Sequence, residues 1–241
     1  MKFIFDVDGT LTPSRRSIDP EFKEFFLDFV KNNKVWLVTG SDYPKTVEQL
    51  GEEICESVVT CYNCSGNDVW FKGQRVNSKP FEAPKELYDL MHGWLQTSSF
   101  PLRTGNHIEE RIGTINFSIV GRNATMGERQ LYVKHDLEHR ERESIALNIN
   151  MELTGISAMV GGETGIDIYR TGHDKSQIFE DFDLDESICC FGDAMYEGGN
   201  DYPLLLANKK GKNYHVKDWK HTWEILNGRF NQTDAIRNQT S

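Results

Sequence analysis

The stretch that most constrains this chain is its opening, where Lys2–Asp6 reads as a short apolar strand running into Asp6-Val7-Asp8-Gly9-Thr10-Leu11-Thr12. Side chains two apart on an extended segment share a face, so Asp6 and Asp8 point the same way. Two unit charges about 4 Å apart repel by about 4 kcal/mol at an effective dielectric of about 20. A chain that keeps this pair at the tip of its first strand needs something there to offset it.

The rhythm that follows explains where that tip lies. Phe22, Phe25, Phe26, Phe29 and Val30 recur at helical spacing over Pro20–Asn32, and Asp19-Pro20 supplies a capping oxygen followed by a proline at the first helical position. Val35–Thr39 is apolar again, a helix is predicted over Pro44–Leu50 and a strand over Ser57–Tyr62, which together make βαβ units. From about Lys79 the pattern changes to a helix (Lys85–Leu95), a strand (Gly113–Val120), a helix opened by Thr125-Met-Gly-Glu128, and strands around Gly155–Val160 and Gly165–Tyr169. The first rhythm returns with strands at Ser187–Phe191 and Asn213–Val216 and a helix at Trp219–Leu226. The fold class expected is α/β: a doubly wound, Rossmann-like parallel-sheet core carrying an inserted α+β cap. Its parts are core residues 1–79, cap residues 80–172, core residues 173–230 and a polar tail over 231–241.

Composition narrows the class of partner. The 241 residues carry a formal charge of −10, which argues against nucleic acid or an anionic membrane surface as a bulk partner. An anionic substrate must therefore meet a local cluster of arginine or lysine. No apolar run is long enough to span a bilayer, and a cytoplasmic protein is expected. The five cysteines include Cys61-Tyr-Asn-Cys64 and Cys189-Cys190 but no second pair at zinc spacing, so packed thiols are expected. The sequons at Asn123, Asn231 and Asn238 would matter only in a secretory route.

Strand C-termini of a doubly wound sheet converge on one crevice, so the residues just past each apolar run should be neighbours. In order these are Asp6 and Asp8; Thr39, Gly40, Ser41 and Asp42; Asp174 and Lys175; and Gly192-Asp193 followed by Asn200-Asp201. Crowded acids with only oxygen donors, beside a lysine and hydroxyls, suit Mg²⁺ and phosphate. Asp6 is then placed to attack phosphorus and Asp8 to hand a proton to the leaving oxygen and take one back. In isolation, Asp-x-Asp-Gly-Thr also fits a turn or a calcium loop; its place at the end of the first strand, with a later Gly-Asp after another strand, favours the catalytic reading.

These residues resemble the four motifs of the haloacid dehalogenase superfamily, and the chain is similar to eukaryotic-type phosphomannomutases within it. The likeness rests on Asp6-Val-Asp-Gly-Thr-Leu-Thr, Leu37-Val-Thr-Gly-Ser-Asp-Tyr-Pro-Lys, Glu48-Gln-Leu-Gly51, Lys175, and Gly192-Asp-Ala-Met-Tyr-Glu-Gly-Gly-Asn-Asp201. It implies Asp6 and Asp8 as catalytic pair, Asp6, Asp8 and Asp193 as metal ligands, and Thr39, Gly40, Ser41 and Lys175 around the reacting phosphate. Asn200 and Asp201 support them. It further implies Mg²⁺ as cofactor, a phosphosugar as substrate, a hexose 1,6-bisphosphate activator if the enzyme is a mutase, and a homodimer through the cap. Arg111, Arg122 and Arg129 of the cap would bind the distal phosphate, with Arg15 assisting and Gly165 and Asp167 near the sugar.

The sequence departs from the family at several of these positions. Thr39 replaces a glycine, as in ordinary phosphatases of the superfamily; Gly165 stands where the family has a serine; His107 replaces an aromatic used between cap subunits; and Leu205-Leu-Ala-Asn-Lys-Lys-Gly211 lacks the acid of a second cation loop. Two reactions stay open on this ground, a hexose-phosphate mutase acting on mannose phosphates and a sugar-phosphate phosphatase. A binding protein that has lost catalysis is disfavoured because the acids are all present.

Overall fold

The computed structural model describes residues 1–183 and 186–230. The expected tail over 231–241, with the sequons at Asn231 and Asn238, lies outside the described residues. The polypeptide clusters into two compact units. The first comprises Met1–Asn77, Lys175–Met195 and the described residues from Asp201, and the second Ser78–Asp174 with Tyr196–Asn200.

The first unit begins with β1 (Lys2–Phe5), α1 (Pro20–Asn32) and β2 (Lys34–Val38). Asp19 caps α1, accepting from the backbone N–H groups of Glu21 and Phe22. α2 (Tyr43–Leu50) and α3 (Glu52–Ser57) follow, then β3 (Thr60–Asn63), β4 (Asp68–Phe71) and β5 (Gln74–Ser78). The strand expected from Ser57 thus starts at Thr60. Glu52–Ser57 is helical instead, because Gly51, at φ 86°, ends α2 and lets a new turn begin that buries Ile54 and Cys55.

The second unit holds α4 (Lys85–Thr97), β6 (Ile108–Arg111), β7 (Thr114–Phe117), α5 (Met126–His139), α6 (Glu141–Glu152), β8 (Ile156–Gly161) and β9 (Gly165–Arg170). The strand expected over Gly113–Val120 covers only Thr114–Phe117, since Gly113, at φ 72°, is part of the turn from β6. The first unit is completed by β10 (Ile188–Gly192), α7 (Tyr202–Ala207), β11 (Lys212–His215) and α8 (Trp219–Arg229). Among the described residues no helix is long and apolar enough to cross a membrane.

The large sheet runs β11-β10-β1-β2-β3-β4-β5. Its first five strands are parallel, and β4 pairs antiparallel with β3. β1 is apolar and buried from Phe3 to Phe5 because both of its faces are covered, as a central parallel strand requires. Phe3 and Phe5 pack with Phe22, Phe26, Phe29, Phe191 and Leu226 on one side, and Ile4 packs with Val38, Ile178, Cys190 and Leu204 on the other. Each fully buried phenylalanine here contributes about 1.5–3 kcal/mol. All five cysteines are buried, and none is in a disulfide.

The small sheet runs β6-β7-β9-β8 and is antiparallel. Apolar residues alternate along its strands and put one face on the helices. Ile115, Phe117, Ile166, Ile168 and Ala158 pack against Leu87 and Met91 of α4 and Ile145 and Ile149 of α6. The intervening residues carry the polar groups.

Candidate active site

Register assembles the first group of functional side chains. Phe5 lies between Leu37 and Phe191 on its parallel neighbours, and the Asp6 N–H donates to Phe191 O at 2.9 Å. The residues that follow each strand, Asp6, Thr39 and Asp193, therefore leave the sheet along one edge. The chain then turns tightly: the N–H groups of Leu11 and Thr12 donate to Val7 O, and Gly9 N–H donates to Thr12 O. Gly9 has φ 77°, and a Cβ there would sit 2.2 Å from Asp193 Oδ2. Glycine is what lets this turn press against that acid.

Three acids and one lysine form the centre. Lys175 Nζ donates to Asp6 Oδ1 and Asp201 Oδ1, each at 2.6 Å, and Asp6, Asp201 and Lys175 are all buried. One carboxylate oxygen from each of Asp6, Asp193 and Asp201 lies within 4.8 Å of the other two. Burial pushes the Asp6 carboxyl well above the usual carboxylate range; Lys175 opposes this, and Asp201 and Asp193 add to it. Asp193 is pushed up to about 6, first by burial and then by Asp201. Burial alone would lower Lys175, but Asp201 and Asp6 outweigh it and hold the ammonium charged. One lysine cannot neutralise three carboxylates, and three hard oxygen donors converging in a buried site fit a divalent cation such as Mg²⁺.

Asp201, read from the sequence as a supporting residue, supplies the third carboxylate of this group. Its Oδ2 also accepts from Ala194 N–H at 3.1 Å. The Asp8 carboxylate is not one of the three. Its Oδ1 accepts from Arg15 N–H at 2.6 Å and from Gln49 Nε2 at 2.9 Å, and Ser41 Oγ stands 3.5 Å from Oδ2. Thr39 is buried, its hydroxyl accepting from Ser41 N–H at 3.1 Å, and a Cβ at Gly40 would meet open space. Asn200 falls in the short segment that clusters with the second unit.

The second unit carries its own polar constellation. Glu109, Asn116 and Asp167 lie opposite one another across β6, β7 and β9, and so share a face. Glu109 Oε1 accepts from Arg111 Nε at 2.8 Å, and its Oε2 accepts from Arg122 Nε. Burial lowers Arg122, an effect Glu109 opposes and Arg111 reinforces. Arg129, in the first turn of α5 behind the Thr125–Glu128 capping box, is buried and meets Glu163 at 3.2 Å. Asn116 Nδ2 donates to Asp167 Oδ1 at 2.6 Å. A Cβ on Gly165 would lie 2.6 Å from that amide nitrogen, so Asn116 occupies the space a larger residue at 165 would use. His107 Nδ1 is 2.9 Å from Ser118 O.

The sequence profile described as "Eukaryotic phosphomannomutase" matches residues 22–232. The chain belongs to the eukaryotic phosphomannomutase family. Curated phosphomannomutases agree. That of Dendrobium officinale is 32% identical over 217 residues, 86% of this chain and 85% of the relative. That of Saccharomyces cerevisiae is 29% identical over 238 residues, 95% and 93% of the two. Among solved structures, IMP-bound IMP-nucleotidase of Plasmodium falciparum aligns with TM-score 0.66 and 16% identity over 93% of this chain and 66% of that one. Trehalose-6-phosphate phosphatase of Aspergillus fumigatus aligns with TM-score 0.54 and 16% identity over 94% and 91%. These structures share the fold. As a phosphomannomutase family member, the chain is a phosphosugar mutase of the haloacid dehalogenase superfamily.

Gln49 and Glu109 stand within motifs of the sequence but were given no role there, although each leaves a trace of one. Gln49 is a polar residue on the buried face of α2, three positions beyond Thr46. Glu109 stands two residues before Arg111, on the same face of an extended segment.

Proposed function

We propose that the protein is a Mg²⁺-dependent cytoplasmic mutase that interconverts mannose 6-phosphate and mannose 1-phosphate through a phosphorylated Asp6, primed by a hexose 1,6-bisphosphate. The observation that carries this reading is the buried group of Asp6, Asp193, Asp201 and Lys175 at the end of β1, with Asp6 pushed far above its ordinary range. Asp6, Asp193 and Asp201 would hold Mg²⁺, whose charge offsets the repulsion between Asp6 and a phosphate dianion.

In the proposed reaction an Asp6 oxygen forms a bond to phosphorus as the bond from phosphorus to the sugar oxygen breaks. Asp8 gives its proton to that oxygen. The sugar monophosphate left behind departs; the free hydroxyl of a substrate sugar phosphate then attacks phospho-Asp6 as Asp8 takes the hydroxyl's proton and the Asp6–phosphorus bond breaks, and the bisphosphate so formed reorients to offer its other phosphate to Asp6. Lys175 keeps Asp6 oriented and partly neutralised, while Thr39, Gly40 and Ser41 bind the reacting phosphoryl group. Arg111, Arg122 and Arg129, with Arg15, bind the distal phosphate, for which guanidinium forks are suited. Asp167 contacts the sugar, and Asn116 takes the place at Gly165 from which the family's serine would reach it.

The second reading, a sugar-phosphate phosphatase, draws on the buried Thr39 hydroxyl beside the site and on the missing side chain at Gly165. Phosphorus NMR with Mg²⁺, mannose 1-phosphate and catalytic hexose 1,6-bisphosphate separates the two. Mannose 6-phosphate as the accumulating product supports the mutase, and free phosphate without isomer, even with the activator present, overturns it.

A further inference from the structure

We propose that Gln49 is a positioning residue for Asp8, fixing which carboxylate oxygen exchanges a proton with substrate. This inference rests on the reading of Asp8 as the proton carrier. Gln49 is buried, and its Nε2 donates both to Asp8 Oδ1 at 2.9 Å and to Thr12 Oγ1 at 3.2 Å. The Arg15 N–H donates to the same Oδ1 at 2.6 Å. A carboxylate oxygen has two lone pairs, and both of those on Oδ1 are taken by N–H donors. Oδ2, which has the Ser41 hydroxyl 3.5 Å away, is therefore the oxygen presented for proton exchange.

The same helix end holds the loop that carries Asp8. Ile18 N–H donates to Gln49 O at 2.8 Å, so residue 49 grips this loop with its main chain as well as its amide. Packing does not explain the amide. α2 turns Tyr43, Thr46, Gln49 and Leu50 inward, and Gln49 Oε1 is buried with no hydrogen-bond partner among the described residues. Leaving an acceptor unsatisfied costs stability that leucine at this position would not incur.

The test compares two phosphoryl donors with the full-length protein and Mg²⁺. A sugar phosphate must protonate its leaving oxygen, whereas p-nitrophenyl phosphate releases a stable phenolate with little need of an acid. Gln49→Leu is expected to lower kcat for the sugar phosphate by about 10- to 100-fold. With the nitrophenyl ester the loss in the first-turnover release of phenolate, which precedes any use of Asp8 as a base, is less than about threefold, and the melting temperature is equal to or higher than that of the unsubstituted protein. Equal losses on both donors, or no loss on either, overturn the inference. Asp8→Asn is run in parallel. If it discriminates between the donors and Gln49→Leu does not, only the assignment of Gln49 fails. If Asp8→Asn does not discriminate either, the reading of Asp8 falls and takes the inference with it.

Discussion

Replacing Lys175 with methionine removes the ammonium that bridges Asp6 and Asp201 and leaves two buried carboxylates facing one another. Lys175 is 1% exposed and lies 2.6 Å from each acid. Methionine fills most of the lysine stem, so the cavity term is small and the electrostatic term dominates. Removing one partner of a buried ion pair costs about 3–5 kcal/mol because the remaining charge is uncompensated. The loss should be read from urea midpoints at constant m in metal-free buffer near neutral pH. It should shrink in mildly acidic buffer, where the crowded carboxyls take up a proton, and shrink again when Mg²⁺ is added. The double variant Lys175→Met/Asp201→Asn should be more stable than Lys175→Met alone by at least about 1 kcal/mol, since the two sites share one interaction. A loss below about 1 kcal/mol for Lys175→Met, with m unchanged, would refute the claim that this lysine holds the acids together.

Three further outcomes follow from the geometry. The Asp193 carboxyl, raised to about 6 in the folded protein from an ordinary value of 3.8, contributes stability that is fully present below the lower value and is lost as pH rises through the upper one; thermal melts of the metal-free protein across that window should show this loss, and Asp193→Asn should flatten it. Gly9→Ala combines a left-handed penalty of about 1–2 kcal/mol with a Cβ driven into Asp193, and calorimetry should find Mg²⁺ bound roughly 10–100-fold more weakly. Glu109→Gln releases Arg111 or Arg122 from its charged anchor, which should raise KM for the sugar phosphate about tenfold with kcat nearly unchanged.

The parts of this molecule legible in the sequence are those where local chemistry and burial agree. α1 announces itself through Asp19-Pro20 and a phenylalanine stripe that is indeed inward-facing, and α5 through its capping box, formed on both sides by Thr125 and Glu128. The β4–β5 hairpin was illegible because β5 is exposed along its whole length and carries no apolar alternation. Its turn is Lys72-Gly73, with positive φ at both residues, in place of the usual Asn-Gly. α6 was missed because Arg140 adopts a left-handed φ of 51° directly between two helices, with no proline or glycine to mark the break.

The site divides in the same way. Asp6, Thr39 and Asp193 could be assigned from strand ends alone, because parallel register carries them to one edge. Asp201 was expected at this edge as a supporting residue, but its place among the three carboxylates was not legible, since it returns to the centre through a loop of seven residues after Asp193 whose path no periodicity describes. The turn of Asp8 toward Gln49 depends on a contact 41 residues apart in sequence, between side chains that no local pattern links.

The central claim is that Asp6, crowded by two acids and steadied by Lys175, is the group that takes the phosphoryl. Quenching the protein during turnover with hexose 1,6-bisphosphate and Mg²⁺, then reducing with borohydride, converts an aspartyl phosphate into homoserine that peptide mass spectrometry can locate. The account predicts that mark at residue 6 alone. A mark at Asp8 or Asp193, or turnover that proceeds with no mark at residue 6, would contradict it.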